Sequence, residues 1–386
     1  MVEKVGGADM DFQLSREQEM LKDMVRNFAE TEVAPHTTAL DESGQFPAEL
    51  VKRIGKLGLI GMFIPKQYGG PGMGYLARTL VIEEMSRVYP PLGFFFEGGD
   101  PGMYLVLNFG SDDLKQRMLP QLCKGEKIAC FAVTEASGGS NPADMQTVAE
   151  AAEGGYVING RKVFITMGSV ADYCCMVART GDKHSAFVVE KGTPGFEAGH
   201  RENVAGVKTI PVDELVFNGA KVPAANRLGE EGQGLSAALG AITLVARPGV
   251  ASVALGLARG AFEEAVRFTK ERKMYGAPII NLQALQFGLA DMETEIEASR
   301  WLVYYLGWLL DQGKSSREVA RDSARAKLFA AETAKKVTMG VCQMMGGYGT
   351  IHDYKVVNRL TDALTLLPAG GTQEIMRMSL GREIAR

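Results

Sequence analysis

Histidine and cysteine are scarce in this chain of 386 residues, four and five respectively, and neither kind is grouped for chemistry. His36, His184, His200 and His352 stand far apart, so no metal-ligand spacing is present and no metal is expected. Cys123, Cys130, Cys174, Cys175 and Cys342 are odd in number and lack the paired short spacings of a zinc site or disulfide framework. That pattern predicts reduced thiols and a cytoplasmic setting. No Gly-x-Ser-x-Gly elbow marks a hydrolase. A basic surplus is missing as well: the net charge of −4 leaves nothing to neutralise phosphates, which argues against nucleic acid as a partner. Apolar runs such as WLVYYLGWLL, bounded by Arg300 and Asp311, fall short of the roughly 18 residues needed to span a bilayer, so membrane insertion is not expected. The opening MVEKVGGADMDFQLSREQE carries acidic residues and no signal-peptide core, and Met10 is as good a start as Met1.

What is present is a globular composition, 46% apolar and 23% charged, long enough for a large core and two or three subdomains. From Ser15 to about Lys124 apolar residues recur at helical spacing, and Ser15 with Gln18 predicts a capping box that starts the first helix. Between residues 125 and 230 the texture turns to short β-branched and aromatic runs, YVING, KVFIT, CCMVA, SAFVVEK and ELVF, divided by Gly, Asn and Asp. From about Gly232 long amphipathic stretches return, among them GAFEEAVRFTKERKMYG and ADMETEIEASRWLVYYLGWLLDQG. The expectation is an α+β chain with a helical domain over residues 1–124, a small β-barrel-like domain over 125–230 and an antiparallel four-helix bundle over 231–386.

Four phrases stand out, each with a plain local explanation. FAVTEASGGSNPADMQT (Phe131 to Thr147) is a Gly- and Ser-rich loop after a strand-like run, composition typical of a surface turn. KVFITMGSVAD (Lys162 to Asp172) reads as a core strand ending in a turn, RKMYG (Arg272 to Gly276) as a helix C-terminus, and QMMGGYG (Gln343 to Gly349) as a break after a helix. In this order and at these separations, with KLGLIGMFIPKQYGGPGMG, LQALQFGLADM and GTQEI beside them, the set resembles the acyl-CoA dehydrogenase family of flavoproteins from about Met10 to Arg386.

The resemblance implies FAD held between the β domain and the bundle. It implies Phe131, Val133 and Thr134 lining the isoalloxazine, Thr166 near its N5, Phe164 beside the ring, and Ser140 shared between flavin and the substrate's pantetheine. It places Arg272 and Tyr275 at the pyrophosphate region and brings Gln283, Gln343, Gly346 and Gly347 in from a neighbouring subunit, hence an oligomer, usually a tetramer. Thr372, Gln373 and Glu374 would complete the FAD contacts, Arg247 would lie near the CoA, and Gly371 would border the thioester. An electron-transfer flavoprotein or similar carrier would take the electrons.

One element of the family pattern is absent. The chemistry removes a proton beside the thioester carbonyl, usually with the Glu of a phrase like Glu-Gly-Thr-x-Glu, which here reads Gly370-Gly371-Thr372-Gln373-Glu374. The alternative seat, just before the Arg that matches Arg247, is Ala246. The Gly370 N–H can still polarise the carbonyl, and with an α,β-unsaturated substrate the acidity passes to the γ carbon, deeper in the pocket. FFFEGGDPGM (Phe94 to Met103) resembles the stretch lining that far end and carries Glu97 and Asp100. Local chemistry favours a turn for Gly-Gly-Asp-Pro-Gly, whereas the two vacated seats favour Asp100 as base, its pKa raised by the apolar surroundings of Phe94, Phe95 and Phe96. This pattern resembles the cyclohex-1-ene-1-carbonyl-CoA dehydrogenase branch and implies a 1,4-elimination to cyclohexa-1,5-diene-1-carbonyl-CoA. A crotonobetainyl-CoA reductase-like enzyme, which also has glycine at the usual seat, and a noncatalytic CoA- and flavin-binding scaffold are the competing expectations.

Overall fold

A computed structural model describes residues 13–385. The first helix, α1 (Arg16–Phe28), starts at the expected capping box: Ser15 Oγ accepts from the Gln18 N–H at 3.2 Å and the Ser15 N–H donates to Gln18 Oε1 at 2.9 Å. Short helices α2 (Thr37–Ser43) and α3 (Ala48–Lys56) lead to the long pair α4 (Gly74–Val88) and α5 (Pro90–Phe109), then α6 (Asp112–Cys123).

The middle of the chain is one eight-stranded sheet: β1 (Ala129–Ala132), β2 (Val148–Ala152), β3 (Gly155–Thr166), β4 (Tyr173–Thr180), β5 (Lys183–Glu190), β6 (Phe196–Arg201), β7 (Val212–Pro223) and β8 (Arg227–Leu228). Strand order is β6-β7-β3-β2-β4-β5-β8, with β1 added in parallel to β4. The runs YVING and KVFIT, separate in the sequence, form the single strand β3, whose pairing with β7 slips between Lys162 and Ile165. The slip puts Phe164 at φ 57°, a left-handed backbone that an aromatic residue rarely adopts, and turns it outward.

The C-terminal part is a bundle. The helices α7 (Gly234–Ala241) and α8 (Arg247–Glu271) are joined by a π-helical turn, Ile242–Ala246. After the small hairpin β9 (Lys273–Met274) and β10 (Ala277–Pro278) come α9 (Gln283–Asp311), α10 (Ser316–Met345), α11 (Val356–Leu366) and α12 (Gln373–Ile384). The stretch Gly234–Glu271 is long and apolar enough to cross a membrane, yet 83% of its most apolar window is buried in protein, so it is the core helix of the bundle. A buried charge cluster fixes α4 against it: Arg259 on α8 donates to Glu83 (2.7 Å) and Glu84 (2.8 Å), and the Tyr304 hydroxyl on α9 reaches Glu83 at 2.6 Å. All five cysteines are free.

The turn expected at Gly-Gly-Asp-Pro-Gly does not form. Residues Glu97 to Met103 lie inside α5, with Pro101 in its interior. Proline removes the N–H that would close on the Glu97 carbonyl, and three glycines add entropy cost. Burial outweighs both, since α5 is the layer between β1 and the bundle and is buried on nearly every face.

Candidate active site

Helix α5 brings Glu97 and Asp100 to β1 and the end of β3. A Cβ on Gly98 would lie 2.6 Å from Thr166 Cγ2, so only glycine permits this approach of α5 to the end of β3. Glu97 and Asp100, one turn apart, share a face of this helix. Asp100 is 2% exposed and its Oδ2 accepts from Arg78 Nε on α4 at 2.5 Å. The second carboxylate oxygen, Oδ1, accepts no hydrogen bond from the described residues. Arg78, also 2% exposed, donates Nη1 to the Val245 carbonyl in the π-helical turn at 3.1 Å, and its Nη2 is buried without a protein partner. A Cβ on Gly249 would sit 2.8 Å from that Nη2, so the glycine makes room for the guanidinium.

Burial pushes the Asp100 carboxyl up from its ordinary value, and Arg78 opposes the shift through charge and hydrogen bond. Glu97 makes no hydrogen bond or ion pair with the described residues. Burial, with the nearby Asp100 charge, raises its pKa to about 7 against the opposing charges of Arg78 and Lys327. Phe94, Phe95 and Phe96 are all buried, Phe95 packing on Phe46 at 6.4 Å and edge-on to Phe96 at 5.4 Å.

Two predictions arise here. Arg78→Met strands a buried carboxylate, a loss of roughly 3–5 kcal/mol in stability. With the opposing cation gone the Asp100 pKa rises further, so any activity needing ionised Asp100 sets in at higher pH; thermal melts and a pH–rate profile read both effects. For Glu97, a folded pKa above the unfolded one means a contribution fully present below about pH 4.5 and lost as pH rises through about 7. Glu97→Gln carries no such loss, so its melting temperature should gain on the parent between pH 5 and pH 8, the difference approaching about 3 kcal/mol.

At the other end of the site Arg247 Nε donates to the Gly370 carbonyl at 3.3 Å, and Gly370 itself has φ +64°. Ala246, the alternative base seat, is buried and lacks any titratable atom. The loop carrying Gly370 is pinned by Lys327 of α10, which is fully buried and donates Nζ to Leu367 O (2.6 Å), Gly371 O (2.9 Å) and Gln373 Oε1 (2.8 Å). Burial, and then the Arg247 charge, pulls its pKa down to about 7.

This loop corrects one expectation. Gln373 is 4% exposed and spends its amide on Lys327 and on the Leu328 carbonyl (3.2 Å), so its side chain holds the loop to α10 and is not presented to a dinucleotide. Thr372 caps α12 by accepting the Ile375 N–H at 3.3 Å, and Glu374 is exposed. Neither Arg78 nor Lys327 was read from the sequence. The signal was there: Lys327 falls on the small-residue stripe Ser323, Ala330, Ala334 of α10, and Arg78 in the apolar run YLARTLVI.

Of the residues expected around a flavin, those after β1 lie beside the end of β3. Phe131 and Thr134 are half-buried, Val133 is buried, and the ends of β1 and β3 are tied by the Val163 N–H to Thr134 O at 3.0 Å. Lys162, fully buried, clamps the same region by donating to Val133 O (3.2 Å) and Glu135 Oε1 (2.8 Å). Thr166 is half-buried and Ser140 exposed in its loop. Phe164, 63% exposed on a strained backbone, offers a ring face, which fits a planar aromatic cofactor. Arg272 lies 5.5 Å over the Tyr348 ring, and Gln343, Gly346 and Gly347 are exposed. Tyr275, at φ 53° and 89% exposed, and Gln283 are also outward. A cation among exposed glycines and aromatic faces fits the pyrophosphate-bearing part of a dinucleotide. Among the described residues no cluster of three or more His, Cys, Asp or Glu could hold a metal.

Family models for the acyl-CoA dehydrogenase N-terminal, middle and C-terminal domains match residues 15–126, 130–220 and 232–385. The chain is 40% identical to a short-chain specific acyl-CoA dehydrogenase of Clostridium acetobutylicum, covering 98% of this chain and 100% of that one. It is 39% identical to the cyclohex-1-ene-1-carbonyl-CoA dehydrogenase of Syntrophus aciditrophicus, covering 96% and 91%. A glutaryl-CoA dehydrogenase of Mycobacterium smegmatis, solved in complex with FADH2, superposes with a TM-score of 0.92 at 30% identity, covering 97% of this chain and 96% of that one. Helical, sheet and helical domains in this order, together with these matches, place the chain in the acyl-CoA dehydrogenase family, FAD-dependent oxidoreductases that act on CH–CH bonds.

Proposed function

We propose that this enzyme oxidises an alicyclic α,β-unsaturated acyl-CoA by 1,4-elimination, with cyclohex-1-ene-1-carbonyl-CoA as substrate and cyclohexa-1,5-diene-1-carbonyl-CoA as product. The observation that carries the reading is the placement of acids. Gly370 and Ala246 leave the carbonyl end without a base, while Asp100 stands on α5 with one oxygen oriented by Arg78 and the other free. The relative named for this substrate, at 39% identity, supports it. Bound between the sheet domain and the bundle, FAD would supply the acceptor for the hydride of ring C6. Asp100 takes the C3 proton, and Arg78 holds the carboxylate in place and opposes the upward push of burial on its pKa. In this reading the N–H of Gly370 donates to the thioester carbonyl, and Arg247 and Lys327 fix the loop that carries it. Ser140, Gly371 and Arg247 border the CoA-bearing part of the substrate. The working form in this reading is a homotetramer in which Gln283, Gln343, Gly346 and Gly347 meet a neighbour's FAD, and an electron-transfer flavoprotein re-oxidises it.

A second reading, a crotonobetainyl-CoA reductase-like enzyme, draws on the uncommitted Glu97, which could face a quaternary ammonium. It is the weaker one, because Phe94, Phe95 and Phe96 are packed into the core and do not form an open aromatic wall. The test is anaerobic bleaching of the flavin by cyclohex-1-ene-1-carbonyl-CoA, crotonobetainyl-CoA and butyryl-CoA, with product masses. Bleaching by the first with a diene thioester as product is expected; bleaching by butyryl-CoA alone would overturn the proposal.

A further inference from the structure

Asp100 is a base with a poor outlet for its proton. It is 2% exposed, and its one hydrogen-bond partner among the described residues is a guanidinium that can only donate. A proton captured there returns to the substrate unless another group takes it. Glu97 is the acid one turn earlier on the same face of α5, where side chains three apart have Cβ atoms about 5–6 Å from each other. It differs from Asp100 in the two respects that matter: its carboxylate makes no hydrogen bond or ion pair with the described residues, and at 9% against 2% exposure it is the more accessible of the two.

We infer that Glu97 is the proton relay of this site, taking the abstracted proton from Asp100 and delivering it outward. The inference rests on Asp100 as the base. In the step, the O–H bond on Asp100 breaks as an O–H bond on Glu97 forms, and the negative charge moves from Glu97 back to Asp100 beside Arg78; Glu97 then releases the proton to water. No electrons move and no further reactant is needed. The charged groups that face Glu97 are Arg78 from α4, Asp100 on its own helix and Lys327 from α10. Their balance with burial leaves it near half-ionised at neutral pH, suited both to receive a proton and to give it up.

The experiment follows the proton. Holoenzyme is incubated with cyclohex-1-ene-1-carbonyl-CoA in deuterium oxide without an electron acceptor, so that each oxidation reverses. Deuterium at ring C3 of the recovered thioester is divided by the rate of flavin bleaching and return in the same mixture. The parent should wash deuterium in on most reversals, the more so as pH rises through about 7, where Glu97 is the carboxylate able to accept. Glu97→Gln should lower the ratio about tenfold or more and flatten its pH dependence, whatever it does to the bleaching rate, and Glu97→Asp should restore part of it.

An unchanged ratio in Glu97→Gln overturns the relay. So does a Gln variant that binds FAD and thioester yet neither bleaches nor exchanges, because Glu97 is then the base itself. Failure of the underlying reading looks different: Asp100→Asn that still exchanges, or a parent never bleached by this thioester, removes the proposed reaction and the relay with it.

Discussion

Asp100→Asn should bind FAD and acyl-CoA and lose turnover by roughly 10²–10⁴-fold, the usual worth of a positioned base. Asn keeps the shape and an oxygen for Arg78 Nε, so the hydrogen bond at 2.5 Å can persist while the charge disappears. The variant also leaves the buried Arg78 cation unpaired, and its melting temperature should fall as breaking such a pair costs roughly 3–5 kcal/mol. The two effects separate in the double variant Asp100→Asn with Arg78→Met. Removing both charges should recover much of the stability and none of the turnover. Turnover that stays at the parental level in Asp100→Asn takes this residue out of the mechanism.

Gly370→Glu should create an activity the parent lacks, α,β-dehydrogenation of the saturated cyclohexane thioester. The site has room for the first atom of a side chain: a Cβ at position 370 would meet Arg247 Cα and N and Val250 Cγ2 at 3.5 Å, ordinary contact distance. The cost lies in the backbone, since φ +64° is left-handed and a residue with a Cβ gives up about 1–2 kcal/mol there. Lys327 and Arg247, which hold this loop by hydrogen bonds to Leu367, Gly370 and Gly371, oppose any relaxation that would move the new carboxylate. The positive charge of Arg247 also favours the ionised form of that carboxylate. Flavin bleaching by cyclohexanecarbonyl-CoA, with a product two mass units lighter, is the measurement. A folded, FAD-loaded variant that is never bleached would show that position 370 does not face the thioester.

Periodicity and caps determined much of the architecture. The Ser15–Gln18 box, the strand texture of the middle third and the long apolar faces of the bundle all depend on neighbours a few residues away, so they can be read along the chain. That Ala246 and Gly370 carry no titratable side chain is likewise a fact of sequence. Tertiary contact decided the rest. Gly-Gly-Asp-Pro-Gly has the local preferences of a turn and is helical because α5 is buried between β1 and the bundle. YVING and KVFIT are one strand because β7 pairs along both, and the slip that turns Phe164 outward is a property of that pairing. Arg78 and Lys327 look like ordinary helix cations until α5, the π-helical turn and the Gly370 loop close over them and supply acceptors 22 to 167 residues away. The pKa values of Glu97 and Lys327 come from desolvation by that closure, and a linear sequence carries no measure of it.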